Sequence, residues 1–103
     1  MHSHAISLLA EDGLLGTEAE VALRHALANL TAPSDAARRV LADLELDPKR
    51  LDPSLNSLPE IVRRLADAGI SKESARVLFN AQGDRAMLSL IRQVERLEHL
   101  RNS

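Results

Sequence analysis

The sequence contains no cysteine, tryptophan or tyrosine, and only one phenylalanine among 103 residues. The lack of cysteine excludes disulfide bonds and thiolate metal sites, and it suits a reducing cytoplasm. The near absence of aromatic rings removes the stacking platforms on which proteins hold single-stranded nucleic acid. No apolar run approaches the roughly 18 residues that a membrane-spanning helix needs. We therefore expect a cytoplasmic protein with no membrane partner.

The residues that are present favour an all-helical protein. Leu, Ile, Val and Ala supply almost all of the 45% of the chain that is apolar. These residues recur at three- and four-residue spacing, which is typical of amphipathic helices, and the alternating pattern of a strand is missing. The length is that of one domain. The sequence predicts an all-α fold, a single compact bundle of about six short helices over residues 1–103.

Short polar side chains mark where the helices begin. Thr17 with Glu20, and Ser57 with Glu60, have the spacing of a capping box, in which each side chain bonds the backbone amide of the other residue. Three further residues are predicted to be N-caps: Ser34, Ser71 and Asp84. Short helical turns are predicted at two Asp-Pro pairs, Asp47-Pro48 and Asp52-Pro53.

Glycines mark where the helices end. Gly13, Gly69 and Gly83 follow periodic segments and are predicted to end the first, fourth and fifth helices. The connector after the first helix carries Leu14 and Leu15, which we expect to be buried. The sixth helix is predicted to be the longest and to cover residues 85–101.

The apolar stripes of these helices predict the core. The residues expected to face inward are Ala19, Leu23, Ala26, Leu27, Leu30, Val40, Leu41, Leu44, Leu58, Ile61, Val62, Leu65, Ala75, Leu78, Phe79, Met87, Leu90, Ile91, Val94 and Leu97. Leu88 and Leu100 lie off the main stripe of the last helix. An exposed apolar patch at these two leucines would favour a helix-to-helix dimer, and a broad buried stripe is the alternative.

No constellation of catalytic or metal-binding residues is recognisable in the sequence. A nucleophile needs a base within hydrogen-bond reach and a group that orients the base. The histidines are scattered along the chain, at His2, His4, His25 and His99. No glycine-rich phosphate loop and no metal-ligand spacing occurs. We therefore expect no enzymatic activity, no catalytic residue, no cofactor and no metal site.

Residues 57–79 predict two helices joined by a tight turn, and two stretches within residues 40–79 each resemble a known kind of protein. The stretch "LPEIVRRLADAGISKESARVLF" resembles the helix-turn-helix of bacterial transcriptional regulators. The second helix then offers only Lys72, Ser74 and Arg76 to DNA, beside Glu73, which would oppose phosphate. "VLADLELDPKRLDPSLNSL" is similar to the first loop of acyl and peptidyl carrier proteins. There Ser57 would carry phosphopantetheine, but Asn56 replaces the aspartate of that motif.

The inventory of six short helices resembles the death-fold superfamily, and the caspase-recruitment type in particular. This resemblance implies a domain that assembles with like domains through charged surfaces. The net charge is −2, with −4 over residues 1–57 and +2 over residues 58–103, which suits complementary contacts between copies. The predicted interaction residues are the basic Arg38, Arg39, Arg63 and Arg64 and the acidic Glu18, Glu20, Asp43, Glu45 and Asp47.

The sequence therefore predicts a protein–protein interaction module, either an adaptor or a self-associating domain. Its partner would be another protein or a second copy, with nucleic acid disfavoured by the mild charge. A helix-turn-helix regulator and a degenerate carrier protein remain the alternatives.

Overall fold

Six α-helices and one 3-10 helix form the regular structure of residues 3–102, in a computed structural model whose side chains are described for residues 3–99. The α-helices are α1 (Ser3–Glu11), α2 (Gly16–Thr31), α3 (Asp35–Asp43), α4 (Leu58–Ala68), α5 (Lys72–Arg92) and α6 (Val94–Asn102), and the 3-10 helix covers Pro48–Leu51. Residues 3–102 contain no β-strand. The predicted all-α class is confirmed. No helix in this range combines the length and apolarity needed to cross a bilayer.

Three of the predicted helix starts are confirmed. Ser34 Oγ accepts a hydrogen bond from the Ala37 amide at 3.1 Å at the start of α3. Ser57 and Glu60 form the complete capping box of α4, in which the Ser57 amide donates to Glu60 Oε1 at 3.0 Å. Ser71 caps α5 by accepting from the Ser74 amide at 3.1 Å. These local polar signals set the register of three helices.

The capping box predicted at Thr17 and Glu20 is wrong. The N-cap residue of α2 is Leu15, which has extended backbone angles and makes no side-chain cap bond. Leu14 is buried directly after α1 ends, and this brings the chain into α2 at once. Thr17 consequently lies inside the first turn, where its hydroxyl cannot serve as the N-cap.

Two helices end in a turn in which two successive backbone amides donate hydrogen bonds to carbonyl groups of the last helical turn. At the end of α1, Gly13 has a φ of 92°, its amide donates to the Ala10 carbonyl, and the Leu14 amide donates to the Leu9 carbonyl. The same pair of bonds closes α3, with Glu45 at a φ of 58° in the position that favours glycine. Leu14 is buried as predicted, but Leu15 is 63% exposed, which contradicts the prediction for it.

The prediction for the region around Gly83 is wrong. Gly83 does not end the fifth helix and Asp84 does not cap a sixth, because both are buried within α5, which runs on to Arg92. The helix instead bends at Asn80, whose φ of 51° and ψ of −174° are not helical. The predicted helix over 85–101 is divided at Gln93 between α5 and α6.

The core lies between α2 and α5, which pack along most of their length. A Cβ added at Gly83 would lie 3.0 Å from the backbone of Ala26, and Asn29 Nδ2 donates to the Phe79 carbonyl at 3.4 Å. Residue numbers thus rise along α2 as they fall along α5, and the two helices are antiparallel. Most residues predicted to face inward are buried, but four are only half-buried: Leu27, Val40, Leu44 and Ile91.

The other helices surround this pair and complete a compact molecule. The radius of gyration is 12.4 Å, close to the roughly 13 Å expected for a folded domain of about 100 residues. Leu88 is half-buried, which fits the broad-stripe alternative for this residue better than an exposed patch. The Leu100 side chain lies outside the described residues.

Candidate functional site

The clearest cluster of available positive charge lies on α3 and the 3-10 helix. Ala37 and Leu41 bury one face of α3, so Arg38 and Arg39 project from the opposite face and are exposed. Lys49 is exposed on the 3-10 helix, and so is Arg50. Among the described residues, salt bridges involve other arginines only, namely Arg63, Arg76, Arg92 and Arg96. We call Arg38, Arg39, Lys49 and Arg50 the basic edge.

A shallow depression of about 270 Å³ lies between the α3 part and the 3-10 helix part of the basic edge. Its lining includes Arg38 from α3, Lys49 from the 3-10 helix, and Leu30 and Thr31 from the last turn of α2. Two carboxylates at this depression already accept backbone hydrogen bonds. Asp47 Oδ1 accepts from the Lys49 amide at 3.0 Å and caps the 3-10 helix as predicted.

The second of these carboxylates belongs to Asp52. Its Oδ1 accepts from the Ser54 amide at 2.9 Å and from the Ser54 hydroxyl at 2.8 Å. The turn predicted after Asp52 is therefore present, although it does not develop into a second 3-10 helix. Bonds of this kind order the loop and leave the cations of the basic edge exposed.

Four of the five predicted acidic residues fall into two separate groups, and the fifth, Asp47, lines the depression at the basic edge. Asp43 and Glu45 are exposed at the end of α3, beside the basic edge. Glu18 and Glu20 are exposed in the first turns of α2. Because the basic edge adjoins the last turn of α2, and a helix rises 1.5 Å per residue, about 20 Å of helix separates Glu18 from it. Glu18 and Glu20 thus lie at one end of α2, and the basic edge, with Asp43 and Glu45 beside it, lies at the other.

Apolar side chains accompany the acidic end of α2. Leu15 is 63% exposed and Val21 is 36% exposed. Glu18 and Val21 line the same depression of about 430 Å³, together with Arg85 from α5. Exposed aliphatic side chains and a carboxylate thus lie together at this end of α2.

Arg63 is bound within the chain. Its Nε donates to Glu98 Oε2 at 3.0 Å, and a second guanidinium nitrogen contacts the other carboxylate oxygen of Glu98. Asp67 Oδ1 lies 3.6 Å from Arg63 Nη1. The hydrogen bonds to Glu98 raise the pKa of the Arg63 guanidinium, and the charges of Glu98 and Asp67 add to this effect. This pair joins α4 to α6 across 35 positions of sequence.

Arg64 and Asn56 connect α4 to the 3-10 helix. Arg64 donates to the Arg50 carbonyl at 2.9 Å and to Asn56 Oδ1 at 3.2 Å. Asn56 Nδ2 in turn donates to the Lys49 carbonyl at 2.7 Å. Both predicted arginines of α4 are half-buried. Their role toward a partner stays a prediction, whereas their structural contacts are visible here.

Lys49 and Arg50 were not among the predicted interaction residues. The signal that points to them is the "DPKR" stretch, in which a capping aspartate and a proline at the first helical position fix a short turn. A turn of this kind is held on the surface with its basic residues outward. The sequence predicts the turn, whereas the depression that Lys49 shares with Arg38 of α3 forms only when the chain folds.

The helix-turn-helix formed by α4 and α5 has the predicted local geometry. Gly69 ends α4 with a φ of 69° and a ψ of 44°, and α5 begins at Lys72. Arg76 is not available as a free cation, because its Nε donates to Asp84 Oδ2 at 2.7 Å. Lys72 and Glu73 are exposed on the first turn of α5.

A largely apolar recess surrounds Ser57. A cavity of about 490 Å³ is lined by Ser57, His4 and apolar residues that include Leu58, Ile61 and Leu97. The Ser57 hydroxyl donates to Glu60 Oε1 at 2.9 Å and accepts from the Glu60 amide at 3.4 Å. The capping role predicted for Ser57 is confirmed.

The described histidines lie on three different helices. His4, His25 and His99 are exposed on α1, α2 and α6, and His2 lies outside the described residues. Among the residues that the structure describes, no three His, Asp or Glu side chains lie close enough together to hold a metal ion.

No protein-family model, curated protein or solved structure matches this chain.

Proposed function

We propose that this chain is a non-enzymatic protein–protein interaction module, acting in the cytoplasm as an adaptor or as a self-associating domain. The observation that carries the proposal is that exposed cations and exposed carboxylates lie at the two ends of α2. The basic edge lies at one end of this helix, and Glu18 and Glu20 lie at the other. Complementary patches on different faces of one molecule favour a head-to-tail contact, which propagates when the rotation between copies does not close.

The basic edge supports this proposal better than the arginines of α4 do. Its side chains are exposed and make no ion pair with the described residues, so a partner carboxylate need not displace an existing one. Arg63 would have to leave Glu98 before it could bind a partner. Exposed complementary charges chiefly raise the association rate and select the correct partner.

Charge reversal on α3 tests the proposal. We expect the double variant Arg38→Glu/Arg39→Glu to associate less than the wild type at low ionic strength in sedimentation velocity, with unchanged helicity by circular dichroism. The matched control is Arg24→Glu/Lys72→Glu, which makes the same change in net charge at two exposed cations outside the basic edge. Its association should resemble that of the wild type, apart from the general effect of charge.

Mixing the complementary variants gives a second readout. Chains carrying Glu18→Lys/Glu20→Lys offer basic groups where the wild type offers acidic ones, so they should bind the Arg38→Glu/Arg39→Glu chains. Equal sedimentation of the wild type, the α3 variant and the control at every salt concentration would refute a self-association through this edge. An adaptor that binds a different protein would then be the form of the proposal still to be tested.

A helix-turn-helix regulator is the second candidate, favoured by the turn at Gly69 between α4 and α5. Binding to a mixed DNA duplex, measured by fluorescence anisotropy from low to physiological salt, separates it from the interaction module. A tight complex whose affinity falls steeply with salt would support the regulator. We expect no such complex, because Arg76 is engaged by Asp84 and Glu73 opposes phosphate.

The carrier-protein alternative has a direct chemical test. Incubation with a phosphopantetheinyl transferase and coenzyme A, followed by mass measurement, would reveal a gain that is lost in Ser57→Ala. We expect no gain, because the Ser57 hydroxyl is held in the capping box of α4.

A further inference from the structure

The bend in α5 depends on a single residue in an unfavourable conformation. Asn80 has a φ of 51° with a ψ of −174°, close to a region of backbone angles that only glycine readily adopts. Its side chain helps to restart the helix, because Asn80 Oδ1 accepts from the Gln82 amide at 3.1 Å. Residues 72–79 and 81–92 are helical on either side. A one-residue hinge therefore joins two helical segments.

The segment after Asn80 supplies a large share of the core. Gly83 packs against Ala26 of α2. Five apolar side chains of this segment are buried, namely Ala86, Met87, Leu90, Val94 and Leu97. Polar bonds add to this packing, since Gln93 Nε2 donates to the Leu8 carbonyl of α1 at 3.2 Å. The Gly83 and Gln93 contacts join the segment to α2 and α1, which precede the hinge, and α6 packs against α1 and α4. A second copy of the chain offers the same surface.

An ion pair crosses the hinge. Arg76 Nε donates to Asp84 Oδ2 at 2.7 Å, and the Asp84 side chain is only 12% exposed. In a straight helix, residues eight apart are separated by about 12 Å along the axis and by about 80° around it, which keeps this nitrogen and this oxygen out of contact. The pair can form where α5 bends, or between two chains that have exchanged the segment.

We propose that the chain also forms a domain-swapped dimer, in which α5 straightens at Asn80 and the segment after it packs onto a second copy. Straightening would give one continuous helix of 21 residues, about 32 Å long. The exchange restores each core contact and the Arg76–Asp84 pair between chains, and it relieves the backbone angles of both Asn80 residues. A short hinge under strain is the feature that invites such an exchange.

Hinge variants test the energetic basis of this dimer. Asn80→Ala tolerates the bend less well and extends the helix readily, whereas Asn80→Gly accepts the bend without strain. Two hinges straighten in each dimer, so a roughly tenfold effect at one hinge becomes about a hundredfold change in the dimerisation constant. After refolding at several concentrations, light scattering during size exclusion should show the most dimer for Asn80→Ala and the least for Asn80→Gly.

The matched control for the hinge is Gln82→Ala, which raises helix propensity two residues beyond the bend and leaves the hinge residue in place. Its dimer content should stay near that of the wild type. The proposal would be overturned if the wild type and the three variants all gave only monomers. Equal dimer content in Asn80→Ala and Asn80→Gly would overturn it as well.

A charge exchange across the hinge distinguishes swapping from contact between surfaces. In the Arg76→Glu variant the new carboxylate faces the carboxylate of Asp84. In the Asp84→Arg variant the new guanidinium group faces the guanidinium group of Arg76. In a swapped heterodimer of these two variants, each half pairs opposite charges. We expect that the two variants, unfolded separately and refolded together, give mainly heterodimer, as read by native mass spectrometry.

Failure of the swap is distinct from failure of the proposed surface contact. Dimers in statistical proportions, or monomers only, would refute the exchange of the segment. Association that depends on Arg38 and Arg39 in the same samples would leave the interaction module standing. A heterodimer that persists in the Arg38→Glu/Arg39→Glu background would show swapping without that surface.

Discussion

The substitution Gly83→Ala should destabilise the protein even though it raises helix propensity. The added Cβ would lie 3.0 Å from the amide nitrogen, the Cα and the Cβ of Ala26, so the backbone of α2 would have to move away from α5 by a few tenths of an ångström. Overpacking of this kind costs about 1–3 kcal/mol, whereas replacing glycine by alanine inside a helix gains about 1 kcal/mol. We expect a net loss of about 1 kcal/mol, equivalent to a decrease in Tm of about 4–8 °C.

Urea unfolding followed by circular dichroism measures this loss, and a double-mutant cycle assigns its cause. Ala26→Gly alone should cost about 2 kcal/mol, from helix propensity and the lost burial of a methyl group. The double variant moves the methyl group from α2 to α5. Its free energy of unfolding should lie within about 1 kcal/mol of that of the wild type, whereas additive effects of the two substitutions would lower it by about 3 kcal/mol.

Two outcomes would contradict this reasoning. A Gly83→Ala protein as stable as the wild type would mean that the two helices can separate at no cost and that helix propensity decides. Additive effects in the cycle would mean that Gly83 and Ala26 do not sense each other. Gly83→Leu, which is too large for any small adjustment, provides the control that should prevent native packing.

Two further predictions concern local features. Glu45 holds a positive φ at the end of α3, so Glu45→Gly should raise stability by about 0.5–1 kcal/mol in thermal unfolding, and a loss of stability would contradict the strain assigned to it. Hydrogen bonds from the side chains of Ser89 and Arg92 lower the pKa of Asp12, and the bond from Ser89 has the larger effect. Because the folded-state pKa is the lower one, the stabilisation is present above the unfolded value and is lost below about pH 4. Asp12→Asn should lose less stability than the wild type between pH 5 and 2.5 in urea unfolding, and equal losses would show that Asp12 is not coupled to folding.

Much of the fold could be predicted from local signals. Ser34, Ser57 and Ser71 begin helices because their hydroxyls bond amides three residues on, a contact that depends on nothing distant. Gly69 ends α4 because glycine adopts left-handed backbone angles at a lower free-energy cost than other residues do. Thr17 shows the limit of such signals, since the burial of Leu14 made α2 begin earlier than its polar residues indicate.

The candidate surface was only partly predictable. Exposure of Arg38 and Arg39 follows from the helical period of α3, because Ala37 and Leu41 turn inward. The engagement of Arg63 by Glu98 could not be read from the sequence, because the two residues are 35 positions apart and meet only when α4 packs against α6. Charge on a helix face therefore predicts exposure better than it predicts availability to a partner.

The sequence by itself determined the helical class, most caps and most of the core, because these depend on contacts within a few residues and on the helical period. The tertiary structure decided where α5 bends and which charges stay unpaired. Gly83 looks like a helix end in the sequence, but the close approach of α2 requires a residue without a side chain there, and the break falls on Asn80 instead. Packing between distant elements determines these features, so they appear only when the chain is folded.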